Sequence, residues 1–318
     1  MDTRFFGLLH LSDGEKSAMN LSTKTFSEQV SIYINNAIVL SKTLALQGKK
    51  FTLLTNNKKL VDSYPLVQQR KNSPDALDIL EIPFMTSVPS GIKFYSAHFK
   101  FDALRYLASL SNCYSVFCDL DVVCINKFPQ CLQHLVEAGI PISYDISDQV
   151  IPAYGHDVII RDLTTIGKIK SEGRWSGGEF LAGTAAFFHS LVMEIDRLYG
   201  NYITNVETLH HVGDEAVTSA AIESLRRSGL YIADAGTLGI IGRYWSIRVL
   251  HPQKSFAYYK SCFLLHLPSD KKLISDIAEQ DFDQLTSFLG LYRKKMRAIS
   301  MMNLRRLALA VAQSLKLR

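Results

Sequence analysis

Tyr114-Ser115-Val116-Phe117-Cys118-Asp119-Leu120-Asp121-Val122-Val123-Cys124-Ile125 sets two carboxylates in the middle of an apolar run. The run reads as a buried strand that carries Asp119 and Asp121 at its end. An ionised carboxylate in apolar surroundings is costly unless a cation partners it. Side chains at i and i+2 of a strand point to one face, so a single hard cation could serve both. Oxygen ligands suit Mn²⁺ or Mg²⁺, which keep some waters and share coordination with substrate phosphates. The stretch therefore predicts a metal and diphosphate site where a sheet strand ends.

The residues before it predict strands alternating with helices. Phe5 to Leu11 reads as a first buried strand. Thr25-x-x-Glu28 is a capping box, and Phe26, Val30, Tyr33, Ala37, Leu40 and Leu44 follow at helical spacing, with Gly48 as the stop. Phe51 to Thr55 and Leu77 to Ile82 read as further strands, and about Ser96 to Leu110 as a helix feeding the Asp119/Asp121 strand. This order predicts an α/β fold, with a mixed, mostly parallel sheet flanked by helices. Ligands of open α/β sheets gather at the carboxyl ends of the strands, where the two aspartates fall. Pro141 to Arg174 reads as loop-rich, Phe180 to Ser190 as a strand, and His211 to Arg226 as a helix. Arg243 to Leu250 and Ser261 to Leu267 read as late strands. No internal repeat or long linker is visible. The expected organisation is one domain over 1–290 and a basic amphipathic helical tail over 291–318.

The composition is that of a globular chain, with 47% hydrophobic residues among 318. Its five cysteines are odd in number and lack zinc spacing, which predicts reduced thiols in a cytosolic protein. No signal peptide is read at the N-terminus. No apolar stretch approaches the ~18 residues that span a bilayer. Eight of the 35 Lys/Arg and none of the 30 Asp/Glu fall in residues 291–318, so the rest of the chain sets 27 basic against 30 acidic residues. In the tail, basic residues including Arg293, Lys294, Arg305 and Arg306 surround Met296, Ile299, Leu304 and Leu307. Such a helix fits an anionic membrane interface. The predicted location is cytoplasmic, peripheral on the inner face of a membrane. Nucleic acid is not an expected partner, because the basic residues are not interleaved with aromatics and the body is acidic.

Lys100-Phe101-Asp102-Ala103-Leu104-Arg105-Tyr106 followed by the Asp119/Asp121 strand resembles the DXD-containing sugar-binding region of GT-A glycosyltransferases. The likeness is to the group of yeast initiating mannosyltransferases and clostridial toxin glucosyltransferases, which carry Asp-x-x-Arg-Tyr on the preceding helix. It covers about residues 95–128, and Asn112-Cys113 stands near where that group usually has Gly-Gly. The resemblance implies that Asp102 and Arg105 bind the donor sugar's hydroxyls. It implies that Asp119 faces the ribose and a metal-bound water, and that Asp121 ligates the metal. His266-Leu267-Pro268-Ser269-Asp270-Lys271-Lys272 is similar to a loop of glycogenin-like enzymes, which implies His266 as a third ligand and Lys271 or Lys272 on the phosphates. Trp175 to Thr184, with Gly177-Gly178 and Glu179, resembles the region that lines the donor and acceptor pocket. Asp214 or Glu215, at a helix start, stands where related enzymes keep an acid near the reacting centre. His10 to Asp13 and Thr55-Asn56-Asn57 are expected to flank the nucleotide base.

The function these residues predict is metal-dependent sugar transfer from a nucleotide-diphosphate sugar to a surface polysaccharide or lipid-linked glycan, with retention implied by the resemblance. Two alternatives stand beside it. Val116 to Val123 also resembles the nucleophile strand of haloacid-dehalogenase-type phosphatases, but more than 100 residues of α/β pattern precede it. The other is a nucleotide-sugar-binding protein without turnover.

Overall fold

The structure is a computed structural model that describes residues 1–11, 25–282, 284–298 and 301. Ten strands are described: β1 (Asp2–Leu9), β2 (Lys50–Thr55), β3 (Asp78–Glu81), β4 (Cys113–Cys118), β5 (Val122–Cys124), β6 (Ile142–Asp145), β7 (Ser176–Thr184), β8 (Ala233–Asp234), β9 (Ile241–Arg243) and β10 (Leu264–His266). Seven form one sheet in the order β3-β2-β1-β4-β7-β6-β8, and three form a second in the order β5-β10-β9. Only β7 runs against its neighbours in the large sheet, pairing antiparallel with β4 and β6. The mixed, mostly parallel α/β sheet flanked by helices is the fold class expected.

Local chemistry explains the early elements. Thr25 Oγ1 accepts from the Glu28 amide at 3.2 Å and starts the helix Phe26–Ala45. Gly48, at φ +64°, turns the chain out of that helix toward β2. The apolar run at 113–118 is buried throughout and crosses the core between β1 and β7.

The key stretch differs from a single strand. Asp119-Leu120-Asp121 is the joint at which the chain leaves the large sheet as β4 and enters the small one as β5. The Asp119 amide donates to the Glu179 carbonyl at 3.2 Å, and the Asp121 carbonyl accepts from the Leu267 amide at 3.0 Å. The carboxylates are thus pinned between two sheets.

Residues 141–174 are not loop-rich. They hold β6 and the helices Ser147–Tyr154 and His156–Gly167. Gly155 separates those two helices and Pro152 lies inside the first, and this punctuation hides their short helical periods. The strand expected at 180–190 ends at Thr184, whose Oγ1 caps the helix Ala185–Asn205 through the Phe187 amide. The strand expected from Arg243 onward is confined to Ile241–Arg243.

A second apolar cluster, with Val123, Leu265, Leu267, Ile274, Phe288 and Tyr292, covers the small sheet. Residues 286–298 are helical, and Tyr292 donates to Asp270 Oδ2 at 2.8 Å, so the start of the basic segment packs on the body. Residues 299, 300 and 302–318 of the expected tail lie outside the described residues. All five cysteines are free. Among the described residues, no helix is long and apolar enough to cross a membrane.

Candidate active site

The joint at Asp119–Asp121 opens into a cavity of about 480 Å³. β10 runs antiparallel to β5 and sets His266 opposite Val122, so the imidazole arrives beside Asp121. His266 Nε2 lies 3.2 Å from Asp121 Oδ1, and Nδ1 lies 3.2 Å from Glu179 Oε1. Lys271, in the first turn of the helix Lys271–Asp276, places its ammonium 2.5 Å from Asp121 Oδ2. On the other side, Lys100 Nζ bridges Asp119 Oδ1 at 2.8 Å and Asp214 Oδ2 at 3.0 Å, and also reaches the Gly178 carbonyl at 3.0 Å.

Charge is shared: Lys100, Arg243 and His266 each bridge two carboxylates. Burial works against ionisation of Asp121, yet Lys271 and His266 hold its carboxyl well below the usual range. Burial raises Asp119 despite Lys100. Burial would lower His266, but Asp121 and Glu179 outweigh it and push the imidazole up to about 9. Glu179 is fully buried, and Arg243 holds it low with Nε 2.6 Å from Oε1. Arg243 Nη2 also reaches Glu215 Oε1 at 2.8 Å. Glu215 further accepts from Trp175 Nε1 at 3.0 Å and from the Gly178 amide at 3.1 Å.

Asp119, Asp121 and His266 each offer a ligand atom, and these atoms lie within 4.8 Å of one another. Asp121 Oδ2 and His266 Nε2 are enclosed, and each meets one charged neighbour: Lys271 Nζ lies 2.5 Å from the first and Asp121 Oδ1 3.2 Å from the second. Two carboxylates and an imidazole that converge this closely at a cavity form a donor set that a divalent ion would fit. Two carboxylates and one imidazole suit Mn²⁺ or Mg²⁺ in an open coordination sphere.

The residues expected at the site separate into two groups. Asp119, Asp121, Asp214, Glu215, His266 and Lys271 all line the cavity. Glu179 lies beneath them and binds Arg243 and His266. The Gly177-Gly178 approach is to protein: a Cβ at Gly178 would stand 2.5 Å from Asp214 Oδ2.

Asp102 and Arg105 lie outside this cavity. The Asp102 oxygens accept from the Met85 and Thr86 amides at 3.1 Å each, and Arg105 pairs with Asp102, Thr86 and Asp196. The same helix face fastens the loop after β3. His10 stacks on Phe99 with centroids 3.9 Å apart, beside Phe84 and Tyr95, and burial lowers its imidazole to about 4. Thr55 is fully buried and its hydroxyl accepts from the Asn57 amide at 3.3 Å. Asn56 makes two hydrogen bonds to the Leu11 backbone, at 2.8 and 2.7 Å. Asp13 lies outside the described residues.

Lys100 and Arg243 are site residues to which the sequence reading gave no role. Arg243 left a signal of the kind Asp119 and Asp121 gave. Arg243 closes the apolar run Gly239 to Gly242, and a charge inside such a run needs a buried partner.

The architecture and this cluster can be set beside solved structures. A galactosyltransferase, LgtC, in complex with donor and acceptor sugar analogues, superposes with a TM-score of 0.52 at 8% identity, over 92% of this chain and 100% of that one. The bifunctional glycosyltransferase WbbM superposes with a TM-score of 0.53 at 8% identity, over 92% of this chain and 51% of that one. The fold is of the GT-A glycosyltransferase type. No protein-family model matches the chain, and no curated protein matches it in sequence. In this fold, the crossing from the large sheet to the small one is where the Asp119, Asp121 and His266 cluster lies.

Proposed function

We propose that the protein transfers a sugar from a nucleotide-diphosphate sugar to a glycan or lipid-linked acceptor, using Mn²⁺ or Mg²⁺. The observation that carries this reading is the convergence of Asp119, Asp121, His266 and Lys271 on one cavity at the strand ends of a GT-A fold. Asp121 and His266 would be the buried ligands, and Asp119 would complete the set. A divalent ion held there would neutralise the diphosphate as it leaves. Lys271 sits within reach of the same diphosphate and adds a positive charge beside it. Lys100 ties Asp119 to Asp214 and fixes both carboxylates relative to the cavity. Asp214 and Glu215 stand at the start of a helix on the cavity wall, held by Lys100 and Arg243, and would meet the donor sugar there.

In the transfer, the bond from the anomeric carbon to the diphosphate oxygen breaks. A bond from that carbon to an acceptor oxygen forms, and the acceptor hydroxyl's proton passes to the departing diphosphate. Glu179 keeps the floor of the site in register by joining Arg243 to His266. The basic residues of 291–318 are the part of the chain assigned to an anionic membrane surface.

A panel of nucleotide-diphosphate sugars, varied in base and sugar, tests this. The expected result is release of nucleoside diphosphate from a small subset of donors, only with Mn²⁺ or Mg²⁺ present. Absence of both binding and turnover across the panel, with either ion, would contradict it.

A further inference from the structure

Asp162, His210 and His211 form a second cluster, built from residues that the Asp119–Asp121 joint does not use. Each offers an atom within 4.8 Å of the others. Asp162 sits in the helix His156–Gly167 and is fully buried. The two histidines precede the helix Asp214–Arg227, and His210 is exposed, so an ion can reach the cluster from solvent.

The chain wraps the two histidines round one oxygen. Asp162 Oδ2 accepts from the His210 amide at 3.0 Å and from the His211 amide at 2.9 Å. His211 Nδ1 then lies 3.2 Å from the same oxygen and 3.3 Å from His210 Nδ1. Four-coordinate zinc, with bonds of about 2.0–2.1 Å, keeps its ligand atoms roughly 3.3 Å apart. Protons alone serve these contacts poorly, because a ring nitrogen carries either a proton or a lone pair. A proton on His211 Nδ1 that is given to Asp162 leaves His210 Nδ1 without an acceptor there. A lone pair on His211 Nδ1 can accept from His210 but then faces the carboxylate oxygen. A cation between the three atoms takes a lone pair from each.

We propose that Asp162, His210 and His211 hold a transition-metal ion of the Zn²⁺ class, at a site separate from that of Asp119, Asp121 and His266. The ligands would be Asp162 Oδ2, His210 Nδ1 and His211 Nδ1. Both rings would carry their proton on Nε2, and water would complete the shell. Two imidazoles and one carboxylate suit Zn²⁺, whereas sets richer in oxygen suit Mg²⁺ and Mn²⁺. The two amides on Oδ2 and Arg161 on Oδ1, at 3.0 Å, hold the carboxylate as the outer partners of a metal ligand do. The site stands whether or not sugar transfer is the reaction.

Arg161 is the charge that opposes a cation here. It meets Oδ1 and not the oxygen beside the imidazoles, and its side chain is 57% exposed, so water screens it. An ion on the three ligands would join the helix His156–Gly167 to the segment that leads into Asp214 and Glu215 on the cavity wall.

Calorimetric titration of the metal-stripped, full-length protein with Zn²⁺ tests this, with Co²⁺ as a stand-in whose visible absorption reports imidazole ligation. Asp121→Asn, which removes a ligand of the other site, should keep one Zn²⁺ per chain. In that background two further changes are compared: His210→Ala, at an exposed position, and His211→Asn, whose amide can still donate to Asp162. Each should weaken the ion by more than ~100-fold, because even an outer partner of a metal is worth ~10–100-fold. Circular dichroism checks that the variants fold. His210→Ala in the otherwise wild-type chain should also lower the number of Zn²⁺ ions bound by one, a readout that does not need Asp121→Asn to fold. No Zn²⁺ uptake, loss of all uptake in a folded Asp121→Asn, or equal affinity with and without His210 would overturn the proposal.

Discussion

Asp121 and His266 meet across two strands that pair antiparallel, with Oδ1 of one 3.2 Å from Nε2 of the other. β5 follows the carboxylate pair directly in the chain, whereas β10 returns from near the end of the body. Their pairing turns two distant segments into one ligand set. The contact depends on the small sheet, and the small sheet depends on the cluster that Phe288 and Tyr292 help to bury.

Glu179 is a structural counter-ion in this arrangement. Glu179→Gln leaves Arg243 with only Glu215 as a carboxylate partner and removes charge from beside His266. Breaking one member of a buried pair costs roughly 3–5 kcal/mol. Urea unfolding is expected to show a loss on that scale, with the slope unchanged. A variant as stable as wild type would show that the pair contributes little.

Gly178 leaves the room in which the Asp214 carboxylate and the Lys100 ammonium sit. An added Cβ would meet Asp214 Oδ2 at 2.5 Å and Lys100 Nζ at 3.1 Å, so Gly178→Ala must displace the bridge between Asp119 and Asp214. A misplacement of this size near reacting groups costs on the order of 10²-fold in rate. Turnover on the donor found in the panel should fall by about that factor. Full activity in Gly178→Ala would mean that the bridge plays no part.

Asp102 is expected to matter for stability. Both of its oxygens accept backbone amides of the loop after β3, and Arg105 pairs with it. Asp102→Ala should cost about 1–3 kcal/mol in unfolding experiments. Unchanged stability together with lost sugar recognition would return the pair to the donor site.

Asp162 gives the fold an acid limit. Burial would raise its carboxyl, but His211 and Arg161 hold it below its usual value. A carboxyl lowered in the folded state adds stability that is present above its unfolded value and lost as pH falls through the folded one. Acid unfolding of wild type should steepen below about pH 4, the ordinary carboxylate range. Asp162→Asn should be less stable at pH 7 and show a flatter acid limb. Parallel pH curves for the two proteins would contradict this.

Much of the fold was legible because hydrophobic period and turn chemistry acted together. The Thr25 cap, the Gly48 stop and the apolar run at 113–118 each gave a local signal that tertiary contacts kept. The carboxylate pair was legible for the same reason: charge inside an apolar run demands a partner. Three features were not. The split of the run into β4 and β5 depends on which neighbours each half meets, and no local residue pattern encodes that. The helices of 147–167 are short, one carries Pro152 inside it and Gly155 separates them, so their period does not stand out. Asp102 and Arg105 share a helix face as read, but which loop that face meets is set by β3 and the segment after it.

The central claim is a divalent ion held by Asp119, Asp121 and His266 against a nucleoside diphosphate. Mn²⁺ uptake, followed by the electron paramagnetic resonance of the free ion with nucleoside diphosphate present, tests it most directly. Wild type should bind the ion in a nucleotide-linked manner. Asp121→Asn should lose more than the ~10–100-fold that even an outer-shell partner of a metal is worth. Equal Mn²⁺ affinity in the two proteins, or uptake that ignores the nucleotide, would contradict it.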